Sequence, residues 1–178
     1  MNRPVIRVMN ETDLADVLKI QACCYTELVP ESLRAFRAKW MASASTCFVA
    51  SINGDVVGYL VSLPWDDSAP PELDAPTCRL PVSPTCLYLH DLAVLPSARK
   101  AGAGALLIDA FFGAIDRLGL QCARLIAVQD SSSYWQRFGF SELDVTGNFQ
   151  AKLATYGSRV RFMQRVIRLG QDGALRGS

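Results

Sequence analysis

The segment from Arg99 to Gly104, with the sequence RKAGAG, combines two adjacent basic side chains with two closely spaced glycines. It lies between an apolar run that ends near Leu95 and a periodic apolar run that predicts a helix from about Ala101 to Leu118. Glycines let the backbone approach a ligand closely, and the free N–H groups at a helix start attract phosphate. The segment therefore predicts a cradle for a phosphate or pyrophosphate. The alternative is an ordinary strand-to-helix turn that contains two glycines.

His90, the sole histidine, is the second candidate for chemistry. Its side-chain type titrates near neutrality and can act as a general base. It falls in a strand predicted from Leu87 to Leu95, where a period of two places Tyr88, His90 and Leu92 on one face. The alternative is a histidine that packs structurally against its neighbours in the sheet.

The elements that would position these residues follow from apolar periodicity and turn signals. Strands are predicted at 5–9, 46–52, 55–63, 87–95, 123–128 and 160–167, and helices at 14–28, 31–42, 101–118 and 131–138. The pair Asn53-Gly54 predicts a tight hairpin turn, so the second and third strands are antiparallel. This order predicts an α/β (α+β) fold with a mixed sheet and helices on both of its faces. We expect one domain over residues 1–170 and a disordered tail over 171–178.

Residues 64–85 form a long segment rich in proline, serine and acidic residues. A structureless segment of this length inside a compact domain is more often a functional loop or lid than padding. Four acids, together with Trp65, could receive a cationic amine, although solvated acids are the ordinary alternative. These acids are Asp66, Asp67, Glu72 and Asp74.

Composition narrows the function classes. The chain has 178 residues, half of them apolar, and a formal net charge of +1, without the basic stripe of a protein that binds nucleic acid through phosphates. It has neither the roughly 20 uninterrupted apolar residues of a membrane span nor a secretory signal. The six cysteines form no C-x-x-C pair, so small thiols in a reducing compartment are favoured over a metal site. We expect a cytoplasmic protein without a metal.

Two blocks of the sequence resemble the GNAT superfamily of N-acetyltransferases. Leu92-Ala93-Val94 followed by the RKAGAG segment is similar to its acetyl-CoA motif, an L-x-V strand before [RQ]-x-x-G-x-[GA]. The block YWQRFGF, from Tyr134 to Phe140, resembles its F-Y-x-x-x-G-F segment. The order of elements also fits over about residues 4–168, and the resemblance implies a GNAT-like, mostly antiparallel sheet. Within the superfamily, the strand around His90 looks like that of the arylalkylamine N-acetyltransferases, whose H-x-H has Tyr88 in place of its first histidine here.

The resemblance implies acyl transfer from acetyl-CoA to a primary amine by direct attack on the thioester. The residues that it assigns to the cofactor are Leu92, Ala93 and Val94 for the pantetheine arm and Arg99, Lys100, Ala101, Gly102, Ala103 and Gly104 for the pyrophosphate. The Val94 N–H would be the oxyanion donor, and Trp135 would pack beside the arm. A homodimer is left open.

His90 is then the expected base, while the general acid is less obvious. The tyrosine of F-Y-x-x-x-G-F falls at Trp135, whose indole cannot protonate a thiolate. Tyr134 is adjacent but is expected to face another way, and Tyr88 and Tyr156 are further options. The acceptor is expected to be a small amine. A short or open 64–85 segment would favour a protein or peptide N-terminus instead, and the missing tyrosine raises the alternative of a non-catalytic acyl-CoA sensor.

Overall fold

Seven strands and five helices make up the fold in a computed structural model that describes residues 3–26, 29–154, 156–157 and 159–167. The strands are β1 (Val5–Val8), β2 (Phe48–Ile52), β3 (Asp55–Trp65), β4 (Cys86–Val94), β5 (Cys122–Ala127), β6 (Ser141–Glu142) and β7 (Arg161–Val166). The helices are α1 (Leu14–Cys24), α2 (Leu33–Ala42), α3 (Ala103–Leu118), α4 (Ser132–Gln136) and α5 (Asn148–Ala154). The predicted helix end at Leu28 and the predicted tail at 171–178 lie outside the described residues.

The strands form one sheet in the order β1-β2-β3-β4-β5-β7-β6, and only β4 and β5 run parallel. One face of the sheet packs against α3, whose buried residues include Leu107, Phe111 and Ile115. The other face packs against α1 and α2 through residues such as Val17 and Phe36. The predicted mixed, mostly antiparallel sheet with helices on both faces is therefore confirmed.

Strands β4 and β5 pair only over the first four residues of each. The parallel register joins Cys86 through Leu89 to Cys122 through Leu125 and then stops, although β4 continues to Val94. The second half of β4 is therefore without a strand on its β5 side, so its backbone faces a gap in the middle of the sheet.

A β-bulge interrupts β4 at His90. On β3, Val61 pairs with Asp91 and the next residue, Ser62, pairs with Leu89, so His90 has no opposite residue. A bulge turns two consecutive side chains toward the same face. His90 and Asp91 accordingly both contact residues on the α1 and α2 side, whereas Leu92 packs against the α3 core. The prediction that Leu92 shares a face with Tyr88 and His90 is wrong for this reason.

The sequence pattern missed several local features. A 3₁₀ turn at Pro96–Ala101 precedes α3, which begins at Ala103 rather than Ala101. Strand β6 and helix α5 were not predicted because each is too short to display a period. The Asn53-Gly54 turn was predicted correctly, and both residues have the positive φ angles, 56° and 94°, that this hairpin requires.

All six cysteines are free thiols, and three of them, Cys47, Cys86 and Cys122, are buried. In the part of the chain that the structure describes, no three His, Cys, Asp or Glu side chains are grouped as metal ligands. Over the same residues, no helix is both long and apolar enough to cross a bilayer.

Candidate active site

A cavity of about 450 Å³ opens where β4 and β5 diverge. Nine of the residues predicted for the cofactor or for the general acid line it: Tyr88, Leu92, Ala93, Val94, Arg99, Gly104, Tyr134, Trp135 and Tyr156. The predicted base His90 lines it too, as do Glu31 and Leu73, which come from other parts of the chain. The structure thus brings the residues predicted to bind the cofactor and those predicted for acid–base chemistry to one site.

The free edge of β4 offers backbone groups to this cavity. The Leu95 N–H donates to Val57 O in β3, so alternation along the strand directs the backbone N–H and C=O groups of Leu92 and Val94 toward the gap. Their carbonyls accept hydrogen bonds from the Tyr25 hydroxyl (3.1 Å) and the Arg99 Nε (3.2 Å). Their N–H groups face the same edge, so an extended ligand arm could pair with the strand there.

The turn before α3 has the form of an anion cradle. Gly102 caps the helix at φ 84°, a left-handed conformation that side chains other than glycine rarely adopt. A Cβ atom at Gly104 would lie 3.0 Å from the Tyr134 hydroxyl, so this glycine allows the close approach of α3 and α4. Arg99 and Lys100 place positive charge beside the free N–H groups of the helix start. A pyrophosphate fits this chemistry.

Four predicted cradle residues, Lys100, Ala101, Gly102 and Ala103, do not line the cavity itself. They lie in the chain between Arg99 and Gly104, which do. Ala103 is fully buried and Lys100 is exposed. The predicted cradle uses the backbone N–H groups of these four residues rather than their side chains.

Helix α4 presents its two aromatic residues differently. Trp135 is 7% exposed and packs in the core with Phe140, at 5.8 Å between ring centroids. Tyr134 is half-buried, and its hydroxyl lies next to Gly104 at the cofactor end of the cavity. Burial raises the pKa of Tyr134, so the hydroxyl keeps its proton at neutral pH. The expectation that Tyr134 would face away from the site is wrong.

At the other end of the cavity, His90 belongs to a buried charged cluster. Its Nε2 lies 2.7 Å from Glu31 Oε2, and Lys39 Nζ donates to Glu31 Oε1, also at 2.7 Å. The three side chains are 5% exposed or less. Burial disfavours the Glu31 charge, but the bonds from His90 and Lys39 outweigh it and lower the pKa of Glu31 to about 2.

Two polar atoms in the cavity wall are buried without a hydrogen-bond partner among the described residues: His90 Nδ1 and the Tyr156 hydroxyl. Buried polar atoms are normally satisfied, so an unpartnered pair at one cavity calls for an explanation. A bound polar substrate would supply the missing partners.

A second buried network holds the strand beside His90. Both Tyr25 and Tyr59 donate hydroxyl hydrogen bonds to Asp91, the bond from Tyr59 being 2.6 Å long. Burial raises the pKa of Asp91, and the two phenols partly offset this by stabilising the carboxylate. The end of α1 is thereby attached to β4 next to the bulge.

Sequence reasoning missed Glu31, Lys39 and Asp91 as members of the site. Glu31 lies just before α2 and Lys39 lies in its last turn, and charged side chains of these types are normally exposed. Nothing in the sequence indicates that they are buried or links them to His90, which is 59 residues away from Glu31. Asp91 follows the predicted histidine directly, and only the bulge brings it to the same face.

The long segment at 64–85 is folded onto the domain. Arg124 contacts Asp67 (2.6 Å) and Asp66 O, and Lys152 donates to Pro70 O. The N–H of Asp74 donates to Glu31 Oε1 (2.8 Å), while its carboxylate accepts from the Ser32 N–H (2.7 Å). From this segment, Leu73 reaches the cavity but the four acids do not, so the expectation that these acids receive the amine is not supported by their placement.

Three solved structures with the same fold are distant in sequence. Ard1 from Thermoplasma volcanium is 18% identical at a TM-score of 0.70, with 93% of this chain and 98% of that chain covered. The ribosomal-protein-S18-alanine N-acetyltransferase from Escherichia coli is 16% identical at a TM-score of 0.64, and the match covers 96% of this chain and 97% of that chain. Rv2747 from Mycobacterium tuberculosis, solved in complex with CoA and NLQ, is 15% identical at a TM-score of 0.64, and the match covers 92% of this chain and 99% of that chain. Among curated proteins, none matches the sequence.

The family model described as "Acetyltransferase (GNAT) family" matches residues 14–140, which include α1, the cradle and the block from Tyr134 to Phe140. That range is more than half of the chain. The chain therefore belongs to the GNAT acetyltransferase family and is an acyltransferase with acetyl-CoA as its cosubstrate.

Proposed function

We propose that this protein acetylates the primary amine of a small molecule. The observation that carries the proposal is the composition of the cavity, in which the free edge of β4 and the cradle lie at one end and His90 at the other. When bound, acetyl-CoA supplies an activated acyl group. The chain's own groups bind the cosubstrate, orient the amine and remove its proton.

Each end of the cavity has a distinct role. The N–H groups of Leu92 and Val94 hold the pantetheine arm, and the Val94 N–H stabilises the negative charge that develops on the carbonyl oxygen. His90 takes the proton of the attacking amine, since an ammonium has no lone pair with which to attack. Tyr134, at the cofactor end, donates a proton to the departing thiolate.

The folded 64–85 segment favours a small amine over a peptide. A peptide N-terminus would need a groove open to the following residues, whereas here Leu73 lies against the cavity and Asp74 is bonded to Glu31 and Ser32. The resemblance of the strand around His90 to the arylalkylamine branch supports an amine with an aromatic group. The peptide alternative rests on neighbours such as the S18-alanine N-acetyltransferase, whose name states a protein substrate.

A panel of amines distinguishes these candidates. Thiol release from acetyl-CoA is measured with an arylalkylamine, an aliphatic diamine and short peptides with free N-termini. We expect turnover with a small amine. Turnover with peptides alone would transfer the assignment to N-terminal acetylation, and tight acetyl-CoA binding without turnover across the panel would identify a sensor.

Replacement of the base tests the mechanism within that panel. The His90→Gln protein should show a fall in kcat/KM of about 10²–10⁴-fold at neutral pH, the usual contribution of a general base. Its affinity for acetyl-CoA should be retained because His90 lies at the opposite end of the cavity. An unchanged pH–rate profile would remove His90 from the mechanism.

A further inference from the structure

Both carboxylate oxygens of Glu31 have hydrogen-bond partners. Oε1 accepts from Lys39 Nζ (2.7 Å) and from the Asp74 N–H (2.8 Å), and Oε2 lies 2.7 Å from His90 Nε2. Lysine and backbone amides cannot accept a hydrogen bond, so Oε1 carries no proton. The contacts with His90 and Lys39 also lower the pKa of Glu31 to about 2, so Oε2 carries no proton at neutral pH either. An ionised carboxylate is an acceptor only, which leaves His90 Nε2 as the donor in the third contact.

This contact fixes the tautomer of the neutral imidazole. A neutral ring carries one N–H, and here that N–H is on Nε2 because it faces Glu31. Nδ1 must then hold the lone pair. Nδ1 is also the buried ring nitrogen without a hydrogen-bond partner among the described residues, and its ring lines the cavity.

Stability does not require a charged cluster at this place. Desolvation of two charges offsets much of their attraction, and an apolar pair of similar volume is often as stable as a buried ion pair. Glu31 and Lys39 are nonetheless almost completely buried beside the one histidine of the chain. A role in setting the state of His90 accounts for the cluster.

We propose that Glu31 is a positioning residue that holds His90 in the Nε2–H tautomer and so makes Nδ1 the atom that accepts the proton of the amine. This inference rests on the proposed function for the identity of the proton donor, but the tautomer itself does not depend on it.

His90 Nδ1 takes up one proton for each amide bond that forms. As the amine nitrogen bonds to the acyl carbon, its proton moves to Nδ1, and the C–S bond breaks with its electron pair on sulfur. The sulfur takes a proton from water or from Tyr134, whose phenolate then takes a proton from solvent. The imidazolium that results keeps its Nε2–H on Glu31, and Nδ1 releases its proton to solvent. Lys39 keeps Glu31 ionised throughout, so the carboxylate orients the ring without taking the proton.

The state of the ring can be observed directly because the chain has a single histidine. In protein labelled with ¹⁵N at histidine, the two ring nitrogens of His90 give one set of signals in a long-range ¹H–¹⁵N correlation spectrum. At a pH where the ring is neutral, we expect Nε2 to be protonated and Nδ1 unprotonated. The opposite tautomer, or an even mixture, in the wild-type protein would overturn the inference whether or not any amine is acetylated.

The Glu31→Gln variant supplies the second measurement. An amide can donate as well as accept, so the ring is no longer forced into one tautomer, and both forms should appear in the spectrum. We expect kcat to fall about 10–100-fold, by analogy with the cost of removing the carboxylate that orients a metal-bound histidine, with the KM for acetyl-CoA unchanged. The matched control is Glu11→Gln, a change at an exposed carboxylate that pairs with Arg37, and it should alter neither the spectrum nor kcat.

The two proposals fail in different ways. Absence of turnover with every amine, together with the expected tautomers in both proteins, would reject the proposed function and leave the positioning role of Glu31 intact. A Glu31→Gln protein that folds, keeps a single Nε2–H tautomer and keeps its kcat would reject the positioning role. If that variant does not fold, the wild-type spectrum still decides the tautomer.

Discussion

Tyr134 is the residue best placed to act as the acid, although it occupies the position before the one expected from the family pattern. Its hydroxyl lies beside Gly104 at the cofactor end, while Trp135 is packed into the core. Burial raises the pKa of Tyr134, so it enters the reaction protonated. The Tyr134→Phe protein should lose about 10²-fold or more in kcat, at the lower end of general acid–base contributions, with little change in Tm.

The variant Tyr156→Phe provides the comparison for Tyr134. The Tyr156 hydroxyl is buried and unpartnered among the described residues, so its removal leaves no protein group unsatisfied. Steady-state kinetics on both variants separate the two tyrosines. If Tyr156→Phe lowers kcat and Tyr134→Phe does not, the acid is Tyr156.

The reactive residues were predictable to different degrees. His90 and the cradle are predictable because residue type and local spacing determine their chemistry. Glu31 could not be predicted as the partner of His90, since their contact depends on how the segment before α2 packs over β4. Tyr134 was predicted as a candidate but with the wrong orientation, because a helix of five residues gives too little periodicity to assign a face.

At the level of elements, the cradle depends on a left-handed residue at the start of α3. Gly102 (φ 84°) and Gly119 (φ 63°) flank the same helix, and a Cβ at either would meet nothing within 4 Å. Valine at either position should cost roughly 1–2 kcal/mol of folding free energy or more, because β-carbon sterics disfavour this conformation. Only Gly102→Val should also weaken acetyl-CoA binding.

Gly119→Val is therefore a matched control with the same kind of strain at the opposite end of the helix. Calorimetric titration with acetyl-CoA, alongside thermal unfolding, separates the two effects. Equal affinities for the two variants would contradict the assignment of the pyrophosphate to the 99–104 turn.

The 64–85 segment is attached to the acceptor end through Asp74. Its carboxylate accepts from the Ser32 N–H just before α2, and its own φ of 54° is tolerated by Asp, Asn and Gly. Asp74→Gly removes the acceptor without straining the backbone, so the segment should be cleaved faster in limited proteolysis and the KM of the amine should rise severalfold. Asp74→Asn keeps an acceptor oxygen and should behave like the wild type. Indistinguishable cleavage of all three proteins would argue against this attachment.

Most of the fold was predictable at this scale, and the exceptions have local causes. The hairpin of β2 and β3 follows from Asn53-Gly54, and α3 follows from its apolar period. The bulge at His90 could not be predicted, since an extra residue in one strand is decided by the packing of its neighbours rather than by the alternation of residue types. That one residue determines which side chains of β4 reach the acceptor end of the cavity.

On the scale of the whole molecule, the net charge of +1 conceals buried charges. Glu31 and Lys39 form a buried ion pair, and Asp91 is held by two phenols. The two carboxylates have pKa shifts of opposite sign: that of Glu31 is lowered and that of Asp91 is raised. Stability in acid therefore depends on particular buried groups rather than on the net charge.

The lowered pKa of Glu31 leads to a prediction about acid unfolding. A carboxyl group whose pKa falls from 4.5 in the unfolded chain to about 2 in the folded protein stabilises the fold above pH 4.5. This contribution is lost as the pH falls from 4.5 toward 2, and it amounts to about 3 kcal/mol.

Asp91 affects stability in the opposite direction, because its pKa is higher in the folded protein than in the unfolded chain and its protonation in acid therefore favours the folded state. The free energy of unfolding is therefore measured by urea titration for the wild type and for Glu31→Gln across this range, so that titratable groups that do not contact Glu31 cancel. The stability advantage of the wild type should be constant above pH 4.5 and should shrink by about 3 kcal/mol toward pH 2, whereas a constant difference down to pH 2 would mean that Glu31 keeps an ordinary pKa in the folded protein.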